Sequence, residues 1–501
     1  MMKLFRFRGG VHPEGRKEAT THKPIQVMPM PKRLYIPVQQ HIGAPAEPQV
    51  AIGDSVLKGQ LLAHSQGAVS APIHAPTSGC IVDISDYPAP HPSGLPVRTV
   101  VLESDGLDQW VDSPVVPLDP YNLSTDEIAV RVGAAGIVGM GGATFPAAVK
   151  LKLGKRSKID TLLINGGECE PYLTCDDRLM QEKPEAIIEG ARVMMRAIQA
   201  NQTFLVVEDN KPAAIAALKK ACERAADIKV VVVPSRYPMG SEKHMIKTVT
   251  GKEVPAGGLG ADVGVLVHNM GTAYAVQHAV KLGRPLISRV VTVGGGAVSQ
   301  PQNVEVPVGA LLSDVIEFCG GLTEMPARII MGGPMMGQVI PYLQVPVVKG
   351  TSGIIALTAD EINQQTTMPC IRCGRCVEAC PCGLLPLQMA AQARAGNLDN
   401  VVDLGLLDCV ACGCCSYVCP SHIPLVQYFN YAKGELTARQ QAKHKSQENK
   451  RLVEQKNERL ERARLAREEA AARRKAEAEA KKRAAELEKA RKQAEKAAES
   501  A

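Results

Sequence analysis

One thiol spacing occurs twice in this 501-residue chain, and no other feature limits its fold as strongly. Cys370, Cys373, Cys376 and Cys380 follow C-x2-C-x2-C-x3-C, closed by Pro381. Cys409, Cys412, Cys415 and Cys419 repeat it, closed by Pro420. Three thiolates on one short loop can cap three irons of a cubane, while the fourth reaches towards the other cluster. Cys370, Cys373, Cys376 and Cys419 are therefore expected to hold one 4Fe-4S cluster, and Cys409, Cys412, Cys415 and Cys380 a second. Zinc favours two separated Cys-x2-Cys pairs, so the doubled run argues against it. Cys382 and Cys414 lie beside the runs without fitting them and read as inert thiols.

Charge and composition narrow the partners. Residues 437–501 carry 20 Lys/Arg against 12 Asp/Glu, while residues 1–436 carry 38 against 39. A nearly neutral body thus bears one basic tail. Aromatic residues are only 3%, too few for stacking on single strands, so no nucleic-acid partner is expected. No apolar run approaches the ~18–20 residues that span a bilayer. The start, MMKLFRFRGG, lacks a signal-peptide core, so export is not indicated and the thiols are expected to stay reduced.

The pattern reads as a multidomain α+β chain. Residues 1–30 form a basic, irregular arm. Residues 31–115 alternate short apolar runs with turn glycines and resemble the barrel-sandwich fold of biotinyl and lipoyl carrier domains. No lysine sits near Ser70-Ala71-Pro72, so carrier modification is not expected. Residues 116–286 alternate strands such as Thr161–Asn165 with helices such as Pro184–Ala200, the mark of a largely parallel α/β sheet. Residues 287–350 read as a compact β-grasp module and 355–435 as a helical, ferredoxin-like two-cluster domain. In the tail, 436–501, Ala and i,i+4 pairs such as Glu458–Arg462 and Glu488–Lys492 favour a solvated, partly formed helix. Apolar residues other than Ala are too sparse there for a coiled-coil seam.

Within the α/β region, Gly139, Gly141 and Gly142 precede a helix bearing Lys150. Such a loop lets backbone N–H groups approach a phosphate closely. It is not a Walker loop, because no Gly-Lys-Ser/Thr follows. The strand ending at Asn165 leads into Gly166-Gly167-Glu168-Cys169-Glu170, at the place where α/β sheets bind ligands. Tyr237–Lys243 and Val267–Thr272 add Glu242 and Asn269.

Together these segments resemble the flavin- and NADH-binding subunit of respiratory complex I. The resemblance implies that Gly139, Gly141, Gly142 and Lys150 hold the FMN phosphate. It likewise implies that Asn165, Glu168 and Glu170 face flavin and nicotinamide, with Glu242 and Asn269 as further nucleotide contacts. Met140 and Gly167 stand where that family has arginine and aspartate. The module order from barrel-sandwich to twin cysteine runs and charged tail resembles the RnfC component of the bacterial Rnf (Rsx) electron-transport complexes. That resemblance implies an oxidoreductase/translocase component passing electrons between NAD(H), FMN and two 4Fe-4S clusters. It also implies peripheral attachment to the cytoplasmic face of the inner membrane by the other Rnf subunits, with ferredoxin an indirect partner. No side-chain nucleophile or general base is demanded. The alternatives are a cobalamin reductase of propanediol-type microcompartments and a non-catalytic iron–sulfur conduit.

Overall fold

Apolar side chains on both faces define the central sheet. Leu162, Ile164, Leu205 and Val207 enter one core, and Leu163, Phe204, Val206 and Val231 enter another on the opposite side. Strands buried on both faces carry near-continuous apolar runs and pair in parallel. Here Ile228–Val233, Gln202–Glu208, Thr161–Gly166 and Val265–Asn269 lie in that order, all parallel. The structure, a computed structural model, describes residues 3–111, 119–155, 157–223, 225, 227–362 and 364–498. The domain boundary expected between residues 115 and 116 lies outside the described residues.

Helices Pro184–Ile198 and Met270–Leu282 cover one face of this sheet and touch backbone to backbone. A Cβ on Gly190 would sit 1.8 Å from Ala273 O. Glycine in a helix interior costs up to ~1 kcal/mol of propensity, and here it is kept because no side chain fits. Gly190→Ala should therefore destabilise the fold by about 1–3 kcal/mol, read as a lowered denaturation midpoint, although alanine is the better helix former.

Before this domain, strands Arg33–Pro37, Pro96–Ser104, Gly79–Pro88 and Ser55–Val56 form one antiparallel sheet. Glu47–Pro48, Leu61–His64 and Ile73–His74 form a second. After it comes a six-stranded mixed sheet. Its strand Gly353–Leu357, past the residue 350 expected as that module's end, pairs between Ser288–Gly294 and Arg328–Met331. The two β modules share one core, in which Leu34, Ile36 and Leu102 pack with Val291, Val304 and Val306.

The N-terminal arm is more ordered than its composition suggests. Gln26–Val27 adds a parallel edge strand to the six-stranded sheet, and Phe7 enters the second core of the α/β sheet. Its order comes from partners hundreds of residues away, which local pattern does not reveal. The cysteine-rich part contains short helices Arg375–Ala379, Pro386–Arg394 and Leu398–Asp403.

The second compact unit begins at Tyr431 and is helical through Ala498. From Thr437 onward every described side chain is exposed. Ion pairs Glu458–Arg462 (3.3 Å) and Glu488–Lys492 (2.9 Å) form at the expected i,i+4 spacing. The helix is continuous where only partial formation was expected, because alanine propensity and many weak pairs add along its length. No helix among the described residues is long and apolar enough to cross a membrane.

Candidate functional site

In the α/β sheet the chain steps outward twice from Thr161–Gly166 and then returns to place Val265–Asn269 on its other side. A ligand crevice opens at the carboxyl ends of strands where the order switches in this way. Asn165 and Asn269 are register partners there. Asn165 Nδ2 donates to Gly240 O at 2.8 Å, and its Oδ1 accepts the Gly167 N–H at 2.8 Å. Asn269 caps the helix Met270–Leu282 by accepting the Gly271 N–H at 2.8 Å and donates to Asp176 Oδ2 at 2.6 Å.

Glycines let the walls of this crevice approach one another. A Cβ at Gly240 would lie 2.4 Å from Gly167 O, and one at Gly167 3.2 Å from Gly240 Cα. One at Gly141 would meet Asn269 Cβ at 3.5 Å, whereas Gly142 (φ +99°) borders open space. The Gly139 N–H closes the loop onto Phe145 O at 2.8 Å. Lys150 follows on the helix Ala147–Lys152, and its Nζ donates to Glu242 Oε2 at 2.8 Å and Val267 O at 2.6 Å. Lys150 and Glu242 are thus brought together as an ion pair at the crevice. Backbone held this close forms a cradle that side chains would otherwise fill, as an FMN phosphate requires.

The two acidic residues of the 166–170 loop have separate local roles. Glu168 is buried and accepts the N–H groups of Asp176 (3.0 Å) and Asp177 (3.3 Å), capping the helix Cys175–Glu182. Glu170 accepts the Met335 and Met336 N–H groups, both at 2.8 Å, and so ties the loop to the six-stranded β module. Burial pushes the Glu170 carboxyl up to about 7, while those two N–H groups and Lys17 pull it back.

Lys17 is a site residue that sequence reasoning missed. Its Nζ donates to Glu168 O at 3.0 Å, Glu170 O at 2.9 Å and Leu173 O, pinning the loop from the N-terminal arm. Lys211 adds a second hold on Glu168 O at 3.4 Å and forms a buried ion pair with Glu208 at 2.8 Å. Neither belongs to a motif, and Lys17 lies 151 residues from its first partner.

The two cysteine runs follow matched backbone paths. Arg372 and Ala411 hold φ of +57° and +54°, and Gly374 and Gly413 +78° and +80°, at equivalent places. In each run the N–H two residues on donates to the first sulfur, Arg372 to Cys370 at 3.3 Å and Ala411 to Cys409 at 3.4 Å. Such N–H···S contacts favour the thiolate that a cluster needs. The fourth cysteine of each run lies beside the other run, Cys380 in one cavity with Cys409, Cys412 and Cys415 and Cys419 near Cys376. Burial raises the Cys376 thiol, with Cys373 and Cys419 adding to the effect. Burial likewise pushes Cys415 up to about 12, with Cys412, Cys409 and Cys380 adding.

Cys380, Cys409, Cys412 and Cys415 line one cavity with Pro381, Leu384, Met389 and Phe429. A four-thiol set in a mostly apolar enclosure suits an iron–sulfur cluster. Cys370 and Cys373 are exposed, whereas Cys380, Cys412 and Cys415 are buried. Cys382 and Cys414 lie against the buried set, and burial pushes Cys382 up to about 12. Tyr237 joins the two halves of the site: its Oη donates to Cys412 O at 2.6 Å, three residues before the Gly240 that touches Asn165. Met335 makes a second link, from Glu170 to the backbone beside Gly413. The arm makes a third, with Val11 paired to Tyr237 and the Gly10 N–H donating to Ala379 O at 2.9 Å.

A glycine-walled crevice joined by direct contacts to a thiol-lined cavity fits an electron-transport protein, an oxidoreductase component. Family models agree module by module. A RnfC barrel sandwich hybrid domain matches residues 5–107 and a Nuo51 FMN-binding domain 132–278. An SLBB domain matches 290–339 and a 4Fe-4S dicluster domain 369–423. The chain is 54% identical over 446 residues to the C component of the ion-translocating oxidoreductase complex of Rhodobacter capsulatus, covering 88% of this chain and 85% of that one. It is 48% identical over 430 residues to the C component of the proton-translocating ferredoxin:NAD(+) oxidoreductase complex of Clostridium ljungdahlii, covering 86% and 93%. The chain belongs to the RnfC family, the C components of Rnf ion-translocating oxidoreductase complexes. A solved NAD+-reducing NiFe-hydrogenase chain aligns at 19% identity and a TM-score of 0.47, over 64% of this chain and 62% of that one, too loosely to carry a conclusion.

Proposed function

We propose that this chain is the peripheral, NADH-side component of a membrane-bound Rnf complex. It passes electrons between NAD(H), one FMN and two 4Fe-4S clusters, and its partner proteins link that flow to ion movement. Ferredoxin communicates with it through those partners, on the cytoplasmic face of the inner membrane. The observation that carries this reading is the Tyr237–Cys412 hydrogen bond, which joins the flavin crevice to the buried thiol set.

Bound FMN exchanges an electron pair with nicotinamide and single electrons with a cluster, which is the conversion this protein needs. The chain's residues supply position. Gly139, Gly141, Gly142 and Lys150 would hold the phosphate, with Glu242 sharing the charge of Lys150. Asn165 and Asn269 fix the crevice floor, and Glu168 and Glu170 shape the loop facing the ring and nicotinamide. Cys370, Cys373, Cys376 and Cys419 would hold the exposed cluster, and Cys409, Cys412, Cys415 and Cys380 the buried one. Lys17 and Lys211, by fixing the carbonyls of the 168–173 loop, keep the crevice open at constant width.

Anaerobic purification followed by cofactor analysis tests this directly. The expected result is one flavin with about eight iron and eight sulfide per chain, and bleaching of both chromophores on NADH addition. Clusters without flavin, and no response to NADH, would leave a one-electron conduit instead. Zinc in place of iron would remove the reading altogether.

A further inference from the structure

Charge on the tail helix is sorted by face. From Thr437 to Ala498 the chain is one continuous helix with every described side chain exposed. Successive residues turn about 100° around such a helix, so steps of seven or eleven return to nearly the same line. Lys445, Lys456 and Arg467 step by eleven, and Lys475, Lys482 and Lys489 step by seven. All six fall within one third of the helix circumference, on a stripe that runs from Arg439 to Lys496. That third carries 12 of the 20 Lys/Arg between Thr437 and Ala498, and none of the ten Glu from Glu448 to Glu488. The ion pairs Glu458–Arg462 and Arg473–Glu477 lie on the other faces.

Solvation alone does not produce this order. A helix supported by i,i+4 pairs gains most when opposite charges are interspersed, and like charges on one side repel. A row of cations is a cost that an anionic partner lying along it offsets. The shape of the stripe selects among such partners. It follows the helix axis for about 85 Å, at about 1.5 Å per residue. A duplex groove winds once in about 34–36 Å and leaves such a line within half a turn. A small globular domain, about 30 Å across, meets only part of it. Between the cations stand small residues such as Ala463, Ala471 and Ala478, and the large apolar side chains on the stripe are Val453 and Leu460. It therefore presents no apolar row to fill a protein pocket or to insert among acyl chains. A flat anionic surface meets every cation at once.

We infer that this stripe lies along the anionic headgroups of a lipid bilayer, a membrane contact made by the chain's own tail and separate from any that partner proteins provide. It goes beyond the proposed function and rests on it only for bringing a bilayer within reach. The contact is electrostatic, so it fades as salt shortens the Debye length.

Flotation of the full-length protein with vesicles tests this. Wild type should bind phosphatidylcholine vesicles containing phosphatidylglycerol at least about tenfold more tightly than pure phosphatidylcholine at about 0.1 M salt, and lose that preference at about 1 M. Replacing Lys445, Lys456, Lys482 and Lys489 together by glutamine, which keeps helix propensity, should weaken binding at least about tenfold. Replacing Lys443, Lys450, Arg459 and Arg483 by glutamine removes the same charge from the other faces and should change binding less than about threefold. Circular dichroism reports whether the helix persists in each variant. Equal loss in the two helical variants would make net charge responsible and overturns the inference. So does wild-type protein that ignores the anionic vesicles, or that binds a duplex DNA fragment more tightly through the same four lysines. Flavin, iron and NADH bleaching measured on the same preparations report on the electron-transfer reading separately, so either can fail while the other stands.

Discussion

Cys412→Ser should remove the buried iron–sulfur cluster and cut the exposed one off from NADH. Cys412 is buried in the cavity shared with Cys380, Cys409 and Cys415, and its carbonyl accepts the Tyr237 hydroxyl. Links from the α/β domain and the arm land on or beside this set: Tyr237 on Cys412, Met335 beside Gly413, Lys243 and Gly257 on Asp408, and the arm on Ala379 and Cys380. Cys370 and Cys373, by contrast, face solvent. Electrons from the crevice should therefore meet the buried cluster first. In Cys412→Ser, iron should fall by about half, and the remaining cluster should be reducible by dithionite but not by NADH. In Cys373→Ser, the buried cluster should still be reduced by NADH. Paramagnetic resonance after each reductant reads both outcomes. An exposed cluster still reduced by NADH in Cys412→Ser would reverse the order.

The cysteines were legible because iron–sulfur chemistry fixes their spacing within a dozen residues, and the same is true of the glycine loop. The strand Thr161–Gly166 was legible from an apolar run flanked by turn residues. The cavity that Cys380 shares with Cys409, Cys412 and Cys415 agrees with the crossed grouping expected from the repeated spacing. What stayed hidden depends on distance in the chain. Lys17 and Tyr237 have no local pattern, and each acts on a segment more than a hundred residues away. Gly353–Leu357 straddled the expected end of the β-grasp module at 350 and the expected start of the ferredoxin-like domain at 355, because its partners, Ser288–Gly294 and Arg328–Met331, lie on the far side of turns and loops. The arm looked irregular for the same reason: one short strand pairs it to Gln302–Pro307, and composition carries no trace of that pairing. Glu168 and Lys150 illustrate a subtler gap, since their positions were readable but their present partners, a helix terminus and Glu242, were not.

Lys349→Met should destabilise the protein strongly in mild alkali and much less below neutrality. Lys349 is 1% exposed, and its Nζ donates to Pro72 O at 2.8 Å and Gly136 O at 2.7 Å. Its backbone N–H donates to Gln40 Oε1 at 3.0 Å. One side chain thus clamps the barrel-sandwich hairpin and the approach to the glycine loop from the end of the six-stranded module. Methionine keeps the stem's volume but orphans two buried carbonyls, at about 1–3 kcal/mol each. Burial pushes the Lys349 ammonium down to about 7 from an ordinary value of 10.5. The facing groups, His41 and His74, are themselves held neutral by burial, with the charge of Lys349 acting in the same direction. Below pH 7 the lysine is protonated in both folded and unfolded chains, and its desolvation offsets much of what the clamp contributes. Between pH 7 and 10.5 the unfolded chain binds the proton and the folded chain does not, so wild-type stability gains as pH rises. Relative to wild type, the cost of the methionine should grow by about 2–3 kcal/mol between pH 6.5 and 9, at ~1.4 kcal/mol per unit. Urea denaturation of both proteins at the two pH values measures it. An equal cost at both would mean that the lysine keeps its charge in the folded chain and that the two carbonyls stabilise an ammonium, not an amine.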